Sequence, residues 1–396
     1  MRIEPTPVDR AADCAARLRE HVASAAFDAF LAVSSANVFY ATGYRSTAAE
    51  LFPAHRMVAT IAVDRSGLVL PVADSGPAID AGVEPDSLTA YGRFYFESEG
   101  DAARPTQLVD QHTNWITALT SSLEALQLTT ATLGVDDAAL GDHGVAILEA
   151  TFPNATFVRA SAWAYSVRAN KTDDELTLLA RAARLAENGI SAALAVADEG
   201  WTEREIAAVV ASTMVAGGGA PRFIVVTAGL RSALADTYAT DNTWNRGDLL
   251  RFDVGCVVDG YWSDMARTAV LGQPTELQQR RYDQLASGEE EQLKLIRAGV
   301  RASEMFALAI QKVADSGFGP YRRQHCGHGI GLEVYEPPVL NPATDLLLEP
   351  GMVFCLETPY YELGWGGMMC EDTVVVTEDG HRRFTQSSRE LQVIER

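Results

Sequence analysis

The chain has 396 residues, 47% hydrophobic and 21% charged, with 32 lysines and arginines against 53 aspartates and glutamates and a formal net charge of −21. That length favours two domains over one core, and the composition excludes a disordered chain, while the acidic balance repels phosphate backbones and anionic lipid, so neither nucleic acid nor membrane is an expected partner. No apolar run reaches bilayer length, and the charged start "MRIEPTPVDRAADCAARLREHV" lacks the basic-then-apolar order of a signal peptide, so the expected location is the cytoplasm.

From the N-terminus, "ADCAARLREHVASAAF" reads as a helix, and "FDAFLAVSS", "HRMVATIAVD", "SGLVLPVA" and "ATLGVDD" read as strands. The alternation is an α/β signature for residues 1–165. At "SVRANKTDDEL", Thr172 and Glu175 have capping-box spacing and open a long helix, which starts a second domain over 166–396. Thr202 with Glu205 and Thr275 with Gln278 repeat the spacing, and the segments between read as strands. Two helix-then-strand blocks result, 172–271 and 275–376. The five cysteines (Cys14, Cys256, Cys326, Cys355, Cys370) lack CxxC spacing and read as free thiols of a reducing compartment.

In "GDLLRFDVGCVVDGYWSDMARTAVL", Asp259-Gly260 is a tight-turn signal between two β-branched runs. The turn sets residue 258 opposite 261 and 255 opposite 264, so Asp253 lies diagonal to Asp264 at about 7 Å on one face. Two carboxylates so placed in an apolar segment need a cation between them, unless one is a water-exposed edge residue. Further hard ligands follow: His328 between glycines, Glu357 in "GMVFCLETP" and Glu371 in "GGMMCEDTVVVT". Four carboxylates and one imidazole suit divalent first-row metals, and bridging carboxylates fit two ions roughly 3.5 to 4 Å apart.

The order Asp253, Asp264, "GHGIG" around His328, "PGMVFCLE" and "GGMMCEDTVVVT" resembles the pita-bread metallopeptidase family, which includes methionine aminopeptidase, Xaa-Pro aminopeptidase and Xaa-Pro dipeptidase. "FDAFLAVSSANVFYATGY" at 27–44 is similar to the start of the creatinase-type N-terminal domain of its proline-directed members. The resemblance implies an α/β (α+β) chain with a creatinase-like domain at 1–165 and a pita-bread catalytic domain at 166–396. It also implies a dinuclear centre held by Asp253, Asp264, His328, Glu357 and Glu371, with manganese expected first and cobalt, iron or zinc as alternatives. A metal-activated water would attack a scissile carbonyl, and Glu357 would carry the proton to the leaving nitrogen. The family's habit adds a homodimer, and the implied substrate is a short peptide or another small molecule.

Three positions depart from the pattern. Where the peptidases place a second histidine seven residues after the ligand, this chain has Tyr335; "TAGLRSALADTYATD" has Ala235-Asp236 in place of a Pro-His pair; and Met369 stands where an arginine is common. Tyr335 can still donate a hydrogen bond to an oxyanion, and Asp236 would prefer a cationic group. His325 is either a substrate contact or a turn cap, and the thiols near the ligands read as packing. Tyr360, Tyr361 and Trp365 are pocket-wall or core residues. The leading expectation is an Xaa-Pro-type dipeptidase or aminopeptidase. The rivals are a metalloenzyme of the same fold, acting as amide hydrolase or lyase on a non-peptide solute, and a silent binding module.

Overall fold

Among the described residues, the apolar runs of the first part form six short strands: β1 (Ala29–Ala32), β2 (Val58–Ala62), β3 (Ser66–Pro71), β4 (Leu88–Tyr91), β5 (Thr132–Val135) and β6 (Thr156–Arg159). The computed structural model describes residues 7–52, 54–95 and 112–396, and the chain divides into two compact units, Met1–Val167 and Arg168–Arg396. In the first unit the strands make one sheet, ordered β4-β3-β2-β1-β5-β6. Neighbours are antiparallel at β1–β2 and β2–β3 and parallel elsewhere. Leu31, Val58, Val69 and Leu133 pack against Leu119, Leu123 and Leu148 from the helices Trp115–Ala125 and Asp137–Thr151. The four quoted runs each hold a strand. β4 and β6 escape a sequence reading because "LTAY" and "TFVR" are short and only partly buried, which leaves little periodicity to detect.

The second unit opens on the helix Asp173–Val196, where Thr172 and Glu175 form the capping box that their spacing predicts. The same device starts Glu203–Ala216 and Glu276–Leu295. Twelve strands follow in chain order: β7 (Ala220–Ala228), β8 (Leu249–Val258), β9 (Tyr261–Trp262), β10 (Met265–Leu271), β11 (Gly327–Gly329), β12 (Glu336–Val339), β13 (Val353–Glu357), β14 (Tyr360–Glu362), β15 (Gly366–Met368), β16 (Glu371–Val376), β17 (His381–Arg383) and β18 (Gln392–Ile394). The main sheet is antiparallel along β12-β11-β13-β16-β10-β8-β7. Such a sheet mixes neighbours near in sequence with neighbours far apart, and it is the far ones that complete the site.

The β8–β10 hairpin keeps the expected register: Val258 faces Tyr261, Val254 faces Met265 and Asp253 faces Ala266. Asp259 and Gly260 both have positive φ, 46° and 94°, the conformation a two-residue turn of this kind demands. On the sheet face away from the ligands, the adjacent positions Arg267 and Asp372 form a buried ion pair of 2.6 Å. Arg267 also donates to the carbonyls of Glu371 (2.6 Å), Ala266 (2.9 Å) and Ser388 (3.0 Å), so its guanidinium pins β10 to β16.

Candidate metal centre

Side chains of directly paired strand residues point to the same face, so register alone decides which groups meet. Asp253 on β8 pairs with Ala266 on β10, Ala266 with Glu371 on β16, and Glu371 with Glu357 on β13. That is one row across four strands, with the small Ala266 leaving room between carboxylates. In the next row Cys355 pairs with His328 on one side and Thr373 on the other. Asp264, two residues before Ala266, joins this face, and Thr373 Oγ1 donates to its carbonyl oxygen at 2.8 Å.

The glycines around His328 are there for backbone approach. A Cβ at Gly327, where φ is +136°, would lie 2.3 Å from the Cys355 carbonyl oxygen, and one at Gly329 would lie 2.6 Å from that of Glu336. With the strands so close, the His328 ring is fixed. Its Nδ1 lies 3.0 Å from the Gly329 carbonyl oxygen, which can only accept, so Nδ1 carries the proton and Nε2 presents its lone pair, 3.6 Å from Asp264 Oδ2.

One ligand-capable atom from each of Asp264, His328, Cys355 and Glu371 falls within 4.8 Å of the others, and all four residues are buried. Asp264 Oδ1 and Glu371 Oε2 are buried without a hydrogen-bond partner. Burial, and then the neighbouring carboxylates, push the Glu371 carboxyl well up. Burial and the Asp264 charge push Asp253 up, with Arg251 partly offsetting them. Glu357 behaves differently: against the effect of burial, the neighbouring His325 holds it below the usual range, although the ring, with Nδ1 2.9 Å from Glu357 Oε1, makes no hydrogen bond to it, so Oε1 is a third orphaned oxygen. Orphaned oxygens and mutually repelling carboxylates facing one imidazole are a donor set that fits divalent cations. The Cys355 thiol is kept protonated by burial and the adjacent carboxylates, and it contacts the Asp264 carbonyl oxygen at 3.7 Å.

These shifts give a pH test. Raised carboxylates mean that the metal-free folded chain holds protons the unfolded chain has released. Their stabilising contribution is present below about pH 4 and is lost as pH rises through the raised values, about 8 for Asp253. Bound metal takes the ionised carboxylates and cancels that loss. The gap in melting temperature between metal-loaded and metal-free protein is therefore expected to widen by roughly 5 °C or more from pH 5 to 8. Differential scanning calorimetry at a series of pH values measures it, and a constant gap would contradict the assignment.

The face opens into a cavity of about 730 Å³, lined by Asp253, Asp264, Glu357 and Glu371 together with Asp236, His325, Tyr335 and Met369. All of the expected site residues meet here, with His328 stacked behind Tyr335 at 3.6 Å between ring centroids. Tyr335 is half-exposed, yet its partial burial first, and then the ligand carboxylates, push the hydroxyl up, so it stays a donor. Tyr335 is placed by its neighbour Glu336, buried against Lys171 (3.1 Å) and Arg168 (3.3 Å). The three aromatic candidates divide: Tyr361 lines the cavity, whereas Tyr360 and Trp365 pack into the core beside the Arg281 guanidinium. All five cysteines are free and buried.

Two arginines went unnoticed in the sequence. Buried Arg251 donates to the carbonyls of Ser232 (3.0 Å), Leu234 (2.7 Å) and Ala235 (2.6 Å) and to Asp253 Oδ2 (3.2 Å), so it ties the segment before Asp236 to a ligand. Its position two residues before Asp253, on the same strand face, was the available signal. Arg323 lines the cavity from a loop and offered none.

Residues 177–378, just over half of the chain, match metallopeptidase family M24, and residues 15–170 match the Creatinase/Prolidase N-terminal domain. The Xaa-Pro dipeptidase of Pyrococcus furiosus is 35% identical over 227 residues, 57% of this chain and 65% of that one, so the match spans just under two thirds of the relative's length. The Xaa-Pro dipeptidase of Lactobacillus delbrueckii subsp. lactis is 32% identical over 251 residues, 62% of this chain and 68% of that one. Among solved structures, an Xaa-Pro dipeptidase from Bacillus anthracis superposes with a TM-score of 0.80 at 26% identity, covering 97% of this chain and 99% of that chain. With the ligand face, the pita-bread sheet and both domain matches in agreement, the chain belongs to metallopeptidase family M24.

Proposed function

We propose that this protein is a metal-dependent hydrolase that cuts the C–N bond of short Xaa-Pro peptides. The observation that carries this is the row of Asp253, Glu371 and Glu357 with Asp264 and His328 on one sheet face, at the floor of a cavity large enough for a dipeptide. Those five side chains would hold two divalent ions, manganese before cobalt, iron or zinc because four of the five donors are carboxylates. We assign the creatinase-like domain to 1–165 and the catalytic domain to 166–396, and place the protein in the cytoplasm as a homodimer.

The ions, when bound, supply Lewis-acid polarisation of the scissile carbonyl and make water nucleophilic at neutral pH. The protein's own groups do the rest. His328 keeps its proton on Nδ1 and its lone pair on Nε2. Glu357 accepts a proton and returns it to the leaving nitrogen, with the His325 ring beside it, Nδ1 2.9 Å from Oε1. Arg251 donates to Asp253 Oδ2 at 3.2 Å, which holds the side chain in place and offsets part of what opposes its ionisation. Tyr335 presents its hydroxyl to the developing oxyanion.

Tyr335, Asp236 and Met369 support a second reading, a non-peptide amide or related zwitterion as substrate of the same metal chemistry. Metal-loaded protein assayed against Xaa-Pro dipeptides alongside zwitterionic amides and betaines separates the two. Turnover confined to the non-peptide solutes would overturn the peptidase reading. Tyr335→Phe keeps the ring stacked on His328 and removes only the hydroxyl, so turnover is expected to fall roughly tenfold to a thousandfold with KM little changed. Unchanged steady-state kinetics would reduce Tyr335 to packing.

A further inference from the structure

Arg323 is a cation that feels the Glu357 carboxylate at a distance but makes no close ion pair. It sits in the loop between the helix Ala302–Val313 and β11, lines the cavity, and has a buried Nε with no hydrogen-bond partner. Among the described residues its guanidinium has no ion pair, and the contact it does make is with the ring of Tyr361, 5.6 Å from the guanidinium carbon to the centroid. Nearby arginines are not in this position. Arg251 is used up on three carbonyls and Asp253, and Arg222, the other cation lining the cavity, already interacts with another group.

A buried donor left unpaired costs about 1 to 3 kcal/mol, so a protein tolerates one where a ligand completes it. The chemistry of that ligand follows from the donor. A guanidinium presents a planar fork that matches a carboxylate. Charge bookkeeping points the same way. Two divalent ions neutralise the four ligand carboxylates, which leaves Arg323 as the cavity's unpaired positive group and exposed Asp236, also without an ion pair, as its negative one. Met369, where the side chain is apolar and buried, adds no charge.

We propose that Arg323 is the carboxylate receptor of this site: it takes the free carboxylate of a dipeptide-sized zwitterion, while Asp236 faces the ammonium end. The site therefore selects dipeptides and discriminates against longer or C-terminally amidated peptides. This rests on reading the cavity as a short-peptide site, and it names the group that makes the protein a dipeptidase in preference to an aminopeptidase.

The test compares an Xaa-Pro dipeptide with its C-terminal amide on metal-loaded wild type, Arg323→Gln and Arg323→Lys, with melting temperatures as a control for folding. Wild type is expected to favour the free acid by roughly 10- to 100-fold in kcat/KM. Arg323→Gln should lose that preference through a KM raised far more for the acid than for the amide, and Arg323→Lys should retain part of it. A wild type indifferent to amidation, or an Arg323→Gln protein that keeps the acid-to-amide ratio, overturns the proposal and leaves the peptidase reading standing. Calorimetric titration with proline and with prolinamide separates the opposite failure, because binding needs no cleavage. Proline binding that depends on Arg323 in a protein that cleaves no peptide would sink the peptidase reading and keep the receptor. Binding of neither compound, or of both alike, would overturn the receptor.

Discussion

Glu371→Gln protein is expected to purify folded, with its divalent metal content sharply reduced and its turnover down by at least about a thousandfold, a loss of roughly 4 kcal/mol in transition-state stabilisation. Glu371 sits between Ala266 and Glu357 in the row, and its Oε2 is buried with no other partner, so no neighbouring group can take over its role. The same substitution carries a second readout of opposite sign. With metal stripped from both proteins, the variant should be the more stable at pH 8, because it lacks one of the carboxylates that burial and like charge destabilise when ionised. Elemental analysis and calorimetry on the two proteins measure both effects. Wild-type activity in a protein depleted of metal would refute the centre, and a stripped variant less stable than stripped wild type would refute the electrostatic account.

The largest effect on stability is expected on the other side of the sheet. Arg267→Met takes from buried Asp372 the nearest of the guanidiniums that hold its carboxyl low against the effect of burial, leaving Arg383 at 3.1 Å and Arg389 at 3.7 Å, and it strips donors from the Ala266, Glu371 and Ser388 carbonyls. Breaking a buried pair from one side costs about 3 to 5 kcal/mol, which for a unit of this size lowers the melting temperature by roughly 10 °C or more. Adding Asp372→Asn should restore part of the loss, since the buried carboxylate that has lost its nearest cation is then gone. Denaturant unfolding of the two single variants and the double variant tests the coupling. A single-variant loss below about 1 kcal/mol would show that the pair contributes little.

What the sequence disclosed follows the range of the interactions involved. The Asp259-Gly260 turn and the Thr172, Thr202 and Thr275 capping boxes are local, and each one formed where its spacing put it. The diagonal of Asp253 and Asp264 follows from that turn alone. The placement of Glu357 beside Glu371 does not, because it depends on β13 pairing with β16 and β16 with β10, and pairing between distant segments leaves no periodic mark. The aromatic run after Glu357 shows the same limit: Tyr360 and Tyr361 are adjacent and chemically alike, yet one turns to the core and the other to the cavity. Arg323 had no signal because its meaning lies in what is missing around it.

The row across β8, β10, β16 and β13 also governs how such a protein can change over generations. Side chains alternate at every residue, so one inserted or deleted position inside any of these strands would swing its ligand to the face occupied by Arg267 and Asp372. Length changes within the strands are thus lethal to the centre, whatever residue is added. The lip of the cavity is under no such rule. Asp236 and Arg323 belong to loops, and Tyr335 immediately precedes a strand, so point substitutions there alter what the cavity accepts without moving a ligand. A lineage with this architecture can exchange substrates by single steps while its metal chemistry stays locked in register.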